Sequence, residues 1–255
     1  MDPFPTRSDC NETPDAVGKG HLWMFEYVEG RPLRFTLQSD GQLVFGGRTE
    51  KYEDGSEPTA VRPAIETVRS AFRRDAFREA VSNPDSVTFS GIATCQHRIE
   101  YDWDRLPAFL GYDIHENGLH LPDAAHASFE RLGLTPAPTV EREIRADAFD
   151  PDRYTVPDSK WASEPAAGVV LADKHGWRGR LINQDRPPKP TVSFESPESA
   201  AEALVTDELA TTGGVEAVLR WIARRHRAAL AASDIDPASS AFRSAVARSL
   251  QRHSM

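Results

Sequence analysis

Cysteine is almost missing from this chain. Cys10 and Cys95 are the only two, so a disulfide framework is excluded and a cytoplasmic setting is expected. Long apolar runs are missing as well. No stretch approaches the roughly 18 apolar residues that a membrane span requires. The opening "MDPFPTRSDC" is acidic and proline-containing and lacks an apolar h-region, so no secretory signal is expected. Lysine is scarce: five of the 30 basic residues are lysine and the rest are arginine.

What is present bounds the class. Hydrophobic residues make up 39% of 255 and charged residues 27%, enough for a packed core in one large domain or one domain with a small appendage. The net charge of −9 argues against indiscriminate nucleic-acid binding, while leaving a local basic groove open. An acidic, Asp-rich, lysine-poor chain resembles proteins of salt-loving archaea. A GC-rich genome produces the same skew.

Residues 1–20 are polar and turn-rich and read as a loose arm. "WMFEYVEG" alternates Trp23, Phe25 and Tyr27 with other residues, and "PLRFTLQSDGQLVFGG" alternates Leu33, Phe35 and Leu37 before a Ser39-Asp40-Gly41 turn. Together they predict an antiparallel meander. Residues 62–81 repeat Ile65, Val68, Phe72, Ala76 and Val81 at helical spacing behind Pro63. "SVTFSGIA" predicts a buried strand, "PAFLGYDIHENGLHL" two strands about an Asn-Gly turn, and residues 123–133 a short helix. "LTPAPTVEREIRADAF" reads as a connector. "AAGVVLAD" and "WRGRLIN" predict strands joined at Lys174-His175-Gly176. Four prolines between 187 and 197 suggest a linker. Beyond it, residues 198–210 and 214–232 and a last helix capped by Asp236-Pro237 predict about three helices, with Leu204, Val218, Ile222, Phe242 and Val246 inward.

Several pieces, taken in order, carry a resemblance. They are Glu26-Tyr27-Val28-Glu29-Gly30; Arg48 in "FGGRTE", about twenty residues on; Gly91-Ile92; His97, Ile99, Tyr101, Asp102, Pro107 and Phe109; Tyr112-Asp113-Ile114; Ala167-Gly168-Val169-Val170; and Arg178-Gly179-Arg180. In order and spacing this series resembles the ATP-dependent RNA ligases, which belong with DNA ligases and mRNA capping enzymes to the covalent nucleotidyltransferases. The resemblance covers roughly residues 20–190. The tail, with "TTGGVEAVLRWIARRH", is similar to the helical domain that follows in such ligases. The resemblance implies an α+β nucleotidyltransferase fold of twisted antiparallel sheets around a cleft, with a small all-α C-terminal module. Its boundaries are an arm over 1–20, the ligase-like domain over 21–190, and linker plus helices over 191–255.

In that family a lysine amine attacks the α-phosphate of ATP, AMP passes to a 5′-phosphate end, and a 3′-hydroxyl displaces it. Acidic residues hold a divalent metal, Mg, that neutralises developing charge. Here Tyr27 stands at the lysine position, and Ile92 and Ala167 stand at two acidic ones. A tyrosine, with a pKa of about 10, is mostly protonated at neutral pH, and its AMP ester would be a dead end. The resemblance therefore implies lost adenylylation, no intact catalytic residue and no metal site. Mg would be needed only by an active form. It leaves Glu29, Gly30, Arg48, Tyr112, Arg178 and Arg180 as nucleotide-binding positions for ATP or AMP, with Asp113 a further binding or structural group. RNA or other nucleic-acid ends, an active ligase or another protein are the expected partners, in a repair setting and without a membrane. Two alternatives stand beside this. One is a working ligase with another nucleophile, best Lys174, since Lys19 lies too far before the strand. The other is a nucleic-acid-binding or scaffolding protein that never uses ATP.

Other constellations read more plainly. His97 with Tyr101 and Asp102 is read as hydrogen-bonded filler rather than a metal site. Cys95 and His97 lack a third partner for nucleophilic chemistry. Arg220, Arg224, Arg225 and Arg227 make a basic stripe, either a solvated face or a nucleic-acid contact.

Overall fold

A computed structural model describes residues 4, 6–13, 17–53, 55–116, 119–120, 122–184 and 192–253. The expected Asn-Gly turn at 117–118 and residues 187–191 of the proline-rich linker lie outside them. The strands are β1 (Ser8–Asp9), β2 (His21–Glu26), β3 (Gly30–Leu37), β4 (Leu43–Gly46), β5 (Val87–Thr94), β6 (Phe109–Glu116), β7 (Leu119–His120), β8 (Thr139–Arg145), β9 (Gly168–Asp173) and β10 (Arg178–Ile182). They form two five-stranded sheets, ordered β1-β10-β9-β2-β8 and β4-β3-β5-β6-β7. Helices α1 (Arg62–Ala71), α2 (Arg74–Ala80) and α3 (Pro122–Arg131) belong to the same body. Helices α4 (Pro197–Leu204), α5 (Asp207–Thr212), α6 (Val215–Arg225), α7 (Arg227–Ala232) and α8 (Ser240–His253) follow.

The expected meander is only half formed. Strands β3 and β4 make the hairpin, with Phe35 opposite Phe45 and Leu37 opposite Leu43. Strand β2 instead pairs with β8 and β9 in the other sheet. The chain therefore crosses between sheets at Tyr27–Glu29. Burial explains the crossing: five of the six β2 residues are buried, so both its faces need cover. Trp23 and Phe25 pack into the space between the sheets, and Leu22 and Met24 pack on the outside with Val169, Leu171 and Leu181.

The expected helix over 62–81 is broken at Phe72, whose backbone is extended. Phe72 and Phe77 both enter the core beside Phe89, with ring centroids 5.3 and 5.1 Å from it. Five residues of continuous helix would set them about 140° apart, so the break re-aims the second segment. The supposed connector contains β8, an edge strand rich in exposed charge, which suits an edge. The tail folds as five helical segments rather than three. Asp236 accepts a bond from Ala238 N, and the last helix begins later, where Ser239 Oγ accepts one from Phe242 N. The five expected core residues are buried together.

The basic stripe is half-buried, and its arginines are paired within the molecule. Arg224 donates to Thr94 O, Thr94 Oγ1 and Leu106 O at 3.2, 2.8 and 2.7 Å. Arg225 pairs with Asp104 and Arg220 with Glu66. Arg227 lies 3.2 Å from His97 Nδ1. These contacts join the helices to the strand body. Burial pulls the Arg224 pKa down to about 10. Arg224→Met should lower stability by about 2 kcal/mol, because it strands two carbonyls at the seam. A shift in the urea midpoint smaller than a quarter of that would show the seam is held elsewhere.

Candidate functional site

The two sheets face each other across the space where the resemblance places its cleft. That space is filled. Trp23, Phe25 and Val28 meet Ile92, Leu110, Tyr112, Trp161, Ala167 and Val170 in one apolar cluster, with half-buried Tyr27 packed against it. Ile92 and Ala167, expected at acidic positions, lie in this cluster, and Tyr27, expected at the lysine position, packs against it.

A β-bulge shapes the opposite wall. Ser90 pairs with Asp113 and Gly91 with Gly111, so Tyr112 is the extra residue. A bulge re-aims side chains that would otherwise alternate. Tyr112 and Asp113 therefore both reach across to the first sheet. The Tyr112 hydroxyl donates to Glu26 O at 2.7 Å and accepts from Val28 N at 3.3 Å. Burial pushes its pKa well up. Asp113 takes Arg178 Nε at 2.9 and 3.1 Å, and Arg178 Nη1 also donates to Trp177 O and Asp173 O. This ion pair is buried on both sides.

The other candidates are spent on the fold. Glu29 Oε2 accepts the backbone N–H groups of His97, Arg98 and Ile99 at 3.1, 2.7 and 2.9 Å. Its own N–H donates to Tyr101 at 3.0 Å. Gly30 is needed for close approach, since a Cβ there would lie 2.4 Å from Ala93 O. Arg180 pairs with Asp9 at 3.0 Å. Arg48 remains exposed. Lys174 pairs with Glu143 at 3.2 Å. Cys95 Sγ is 3.9 Å from His97 Nε2, and burial pushes the thiol up to about 11, which suits filler rather than a nucleophile.

The arm is not loose over its described residues. Strand β1 pairs in parallel with β10 of the first sheet, and Cys10 N donates to Arg180 O. At the other end Phe4 N donates to Arg48 O, beyond β4 of the second sheet. Between these anchors the Arg7 guanidinium stacks between the Phe4 and Tyr112 rings, 5.1 and 5.0 Å from their centroids. Its Nε and Nη2 are sealed from solvent without a hydrogen-bond partner. Burial pulls its pKa down, against the fields of Tyr112, Asp113 and Tyr27. Sequence reasoning missed Arg7 and Asp9, because a short polar run beside prolines carries no periodicity. It named Glu26 in the motif series without a role; the buried carboxylate accepts Ser159 Oγ at 2.6 Å and Lys160 N at 3.1 Å.

Five cavities among the described residues are lined without Tyr27, Tyr112, Arg178 or Arg180. Among the described residues no three His, Cys, Asp or Glu side chains converge as a metal-binding group, and Ile92 and Ala167 carry no ligand atom. The residues present do not fit the divalent metal that the resemblance implies for an active form. No described helix is long and apolar enough to cross a membrane.

This architecture is the nucleotidyltransferase fold of RNA ligases. The solved structures that share it include Naegleria gruberi RNA ligase with PPi, at TM-score 0.52 and 13% identity over 72% of this chain and 56% of that one. An apo mutant of that ligase aligns at TM-score 0.50 and 12% identity, covering 72% and 57%. A mutant with ATP and Mn gives the same TM-score, identity and coverage. This chain thus spans little more than half the length of those ligases. No protein-family model matches the chain, and no curated protein matches it.

Proposed function

We propose that this chain is a ligase-fold protein that does not adenylylate itself and that works by binding nucleotides or nucleic-acid ends. One observation supports the loss of activity: Ile92 and Ala167 lie inside one apolar cluster and half-buried Tyr27 packs against it, at the positions where the resemblance requires two acidic groups and a nucleophile. Without those groups phosphoryl transfer loses its attacking atom and much of its charge stabilisation. Arg48 is exposed, whereas Tyr112 and Arg178 are buried and Arg180 is paired with Asp9, so nucleotide binding on this reading requires the space between the sheets to open.

Incubation with α-labelled ATP and Mg or Mn should leave the protein unlabelled, while calorimetry at low salt should detect metal-independent binding of AMP that weakens as salt is added. Label that survives denaturation and disappears in Lys174→Ala would establish a working ligase with a different nucleophile. No heat with AMP, ATP or 5′-phosphorylated RNA would leave a scaffold that never uses nucleotide.

A further inference from the structure

We propose that the N-terminal arm is an autoinhibitory strap that occupies the nucleotide slot with a planar group of its own. This rests on the binding reading above and adds its regulation. The strap's described residues are tied at two points: Ser8–Asp9 to β10 of the first sheet, and Phe4 to Arg48 O, two residues past β4 of the second. Its centre is Arg7, a flat cation stacked on Tyr112 as a base would stack, and covered in turn by Phe4.

The seat is incompletely satisfied. An arginine cannot shed its charge, and the Nε/Nη2 fork that normally takes a carboxylate or phosphate in two parallel bonds has no partner here. Asp113, whose charge reaches Arg7, is committed to Arg178. Stacking and the two anchors hold the arm in, and the stranded fork works against them. A closed state balanced in this way can be displaced by a ligand that answers both terms. That ligand is a planar base bearing a phosphate: the base replaces the guanidinium on Tyr112, and the phosphate takes the released fork or Arg48.

The test compares the full chain with two variants of opposite expected sign. Phe4→Ala/Arg7→Ala removes both stacking partners. It should raise amide exchange in β6 and bind AMP about ten-fold more tightly, because the ligand no longer competes with two cation–aromatic contacts. Arg7→Met keeps the volume and removes the stranded charge. It should slow exchange in β6, raise the melting temperature and weaken AMP binding. In the unmodified chain, saturating AMP should speed tryptic cleavage after Arg7. Wild-type exchange, wild-type AMP affinity and unchanged melting in both variants would overturn the strap. Faster exchange in the double variant without any AMP binding would uphold the strap as a cover and refute the nucleotide-binding reading instead.

Discussion

Asp113→Ala should lower the unfolding free energy by about 3–5 kcal/mol, because it leaves the Arg178 guanidinium buried without its anion. Arg7 lies in the same field, so the variant would hold two uncompensated cations between the sheets. The measurement is a urea midpoint at unchanged slope. A loss below about 1 kcal/mol, the worth of a surface pair, would mean the pair is hydrated in solution. The effect carries a pH signature. Burial opposes the ionised carboxyl, but the charge and hydrogen bonds of Arg178 outweigh it and hold Asp113 below its ordinary range. A lowered folded-state pKa gives stability that is complete above the unfolded value of about 3.9 and lost as pH falls through the folded value. The two proteins should therefore differ most at neutral pH and converge in acid below about pH 3.9.

Restoring the absent family residues should unfold the site rather than revive it. Tyr27→Lys alone should fold and stay unlabelled by ATP, since it returns a nucleophile without its charge partners. Adding Ile92→Glu and Ala167→Glu places two carboxyls at positions only 3% and 1% exposed, among Trp23, Phe25 and Leu110. Each would lose packing and either bury a charge or neutralise with a raised pKa. A cost of roughly 4 kcal/mol or more for Ile92→Glu alone follows from those terms. The triple variant should lose its cooperative thermal transition by circular dichroism. If it melts like the parent and takes up label, the cleft is open in solution and the filled geometry is wrong.

The sequence carried the strands well where a short apolar or alternating run is bounded by turn residues, as in β3, β5, β9 and β10. It misread three places for physical reasons. At Tyr27–Glu29 a polar turn between two alternating runs has the same local pattern as a hairpin, and only the two-faced burial of β2 separates them. In α1 and α2 a spacing compatible with one helix hides a break that the aromatic core imposes. In β8, "TVEREIR", edge charge looks like a connector. At the site, Tyr27, Ile92, Tyr112 and Ala167 share one apolar cluster, while Arg48 and Arg180 lie outside it. What motif order could not reveal is what each side chain is already bonded to. The bulge that turns both Tyr112 and Asp113 inward, the backbone cradle of Glu29 and the seat of Arg7 all depend on long-range partners.

Each of the two cysteines lies under a different closure. Cys10 is 1% exposed, directly after the β1 residues that anchor the strap to β10. Cys95 is fully buried in the seam where Arg224 and Arg227 bring in the helices. Burial raises both thiols to about 11, so neither reacts readily while covered. Alkylation at each position becomes a clock for one local opening, and the ratio of the two rates reads strap release against helix undocking within a single unmodified molecule.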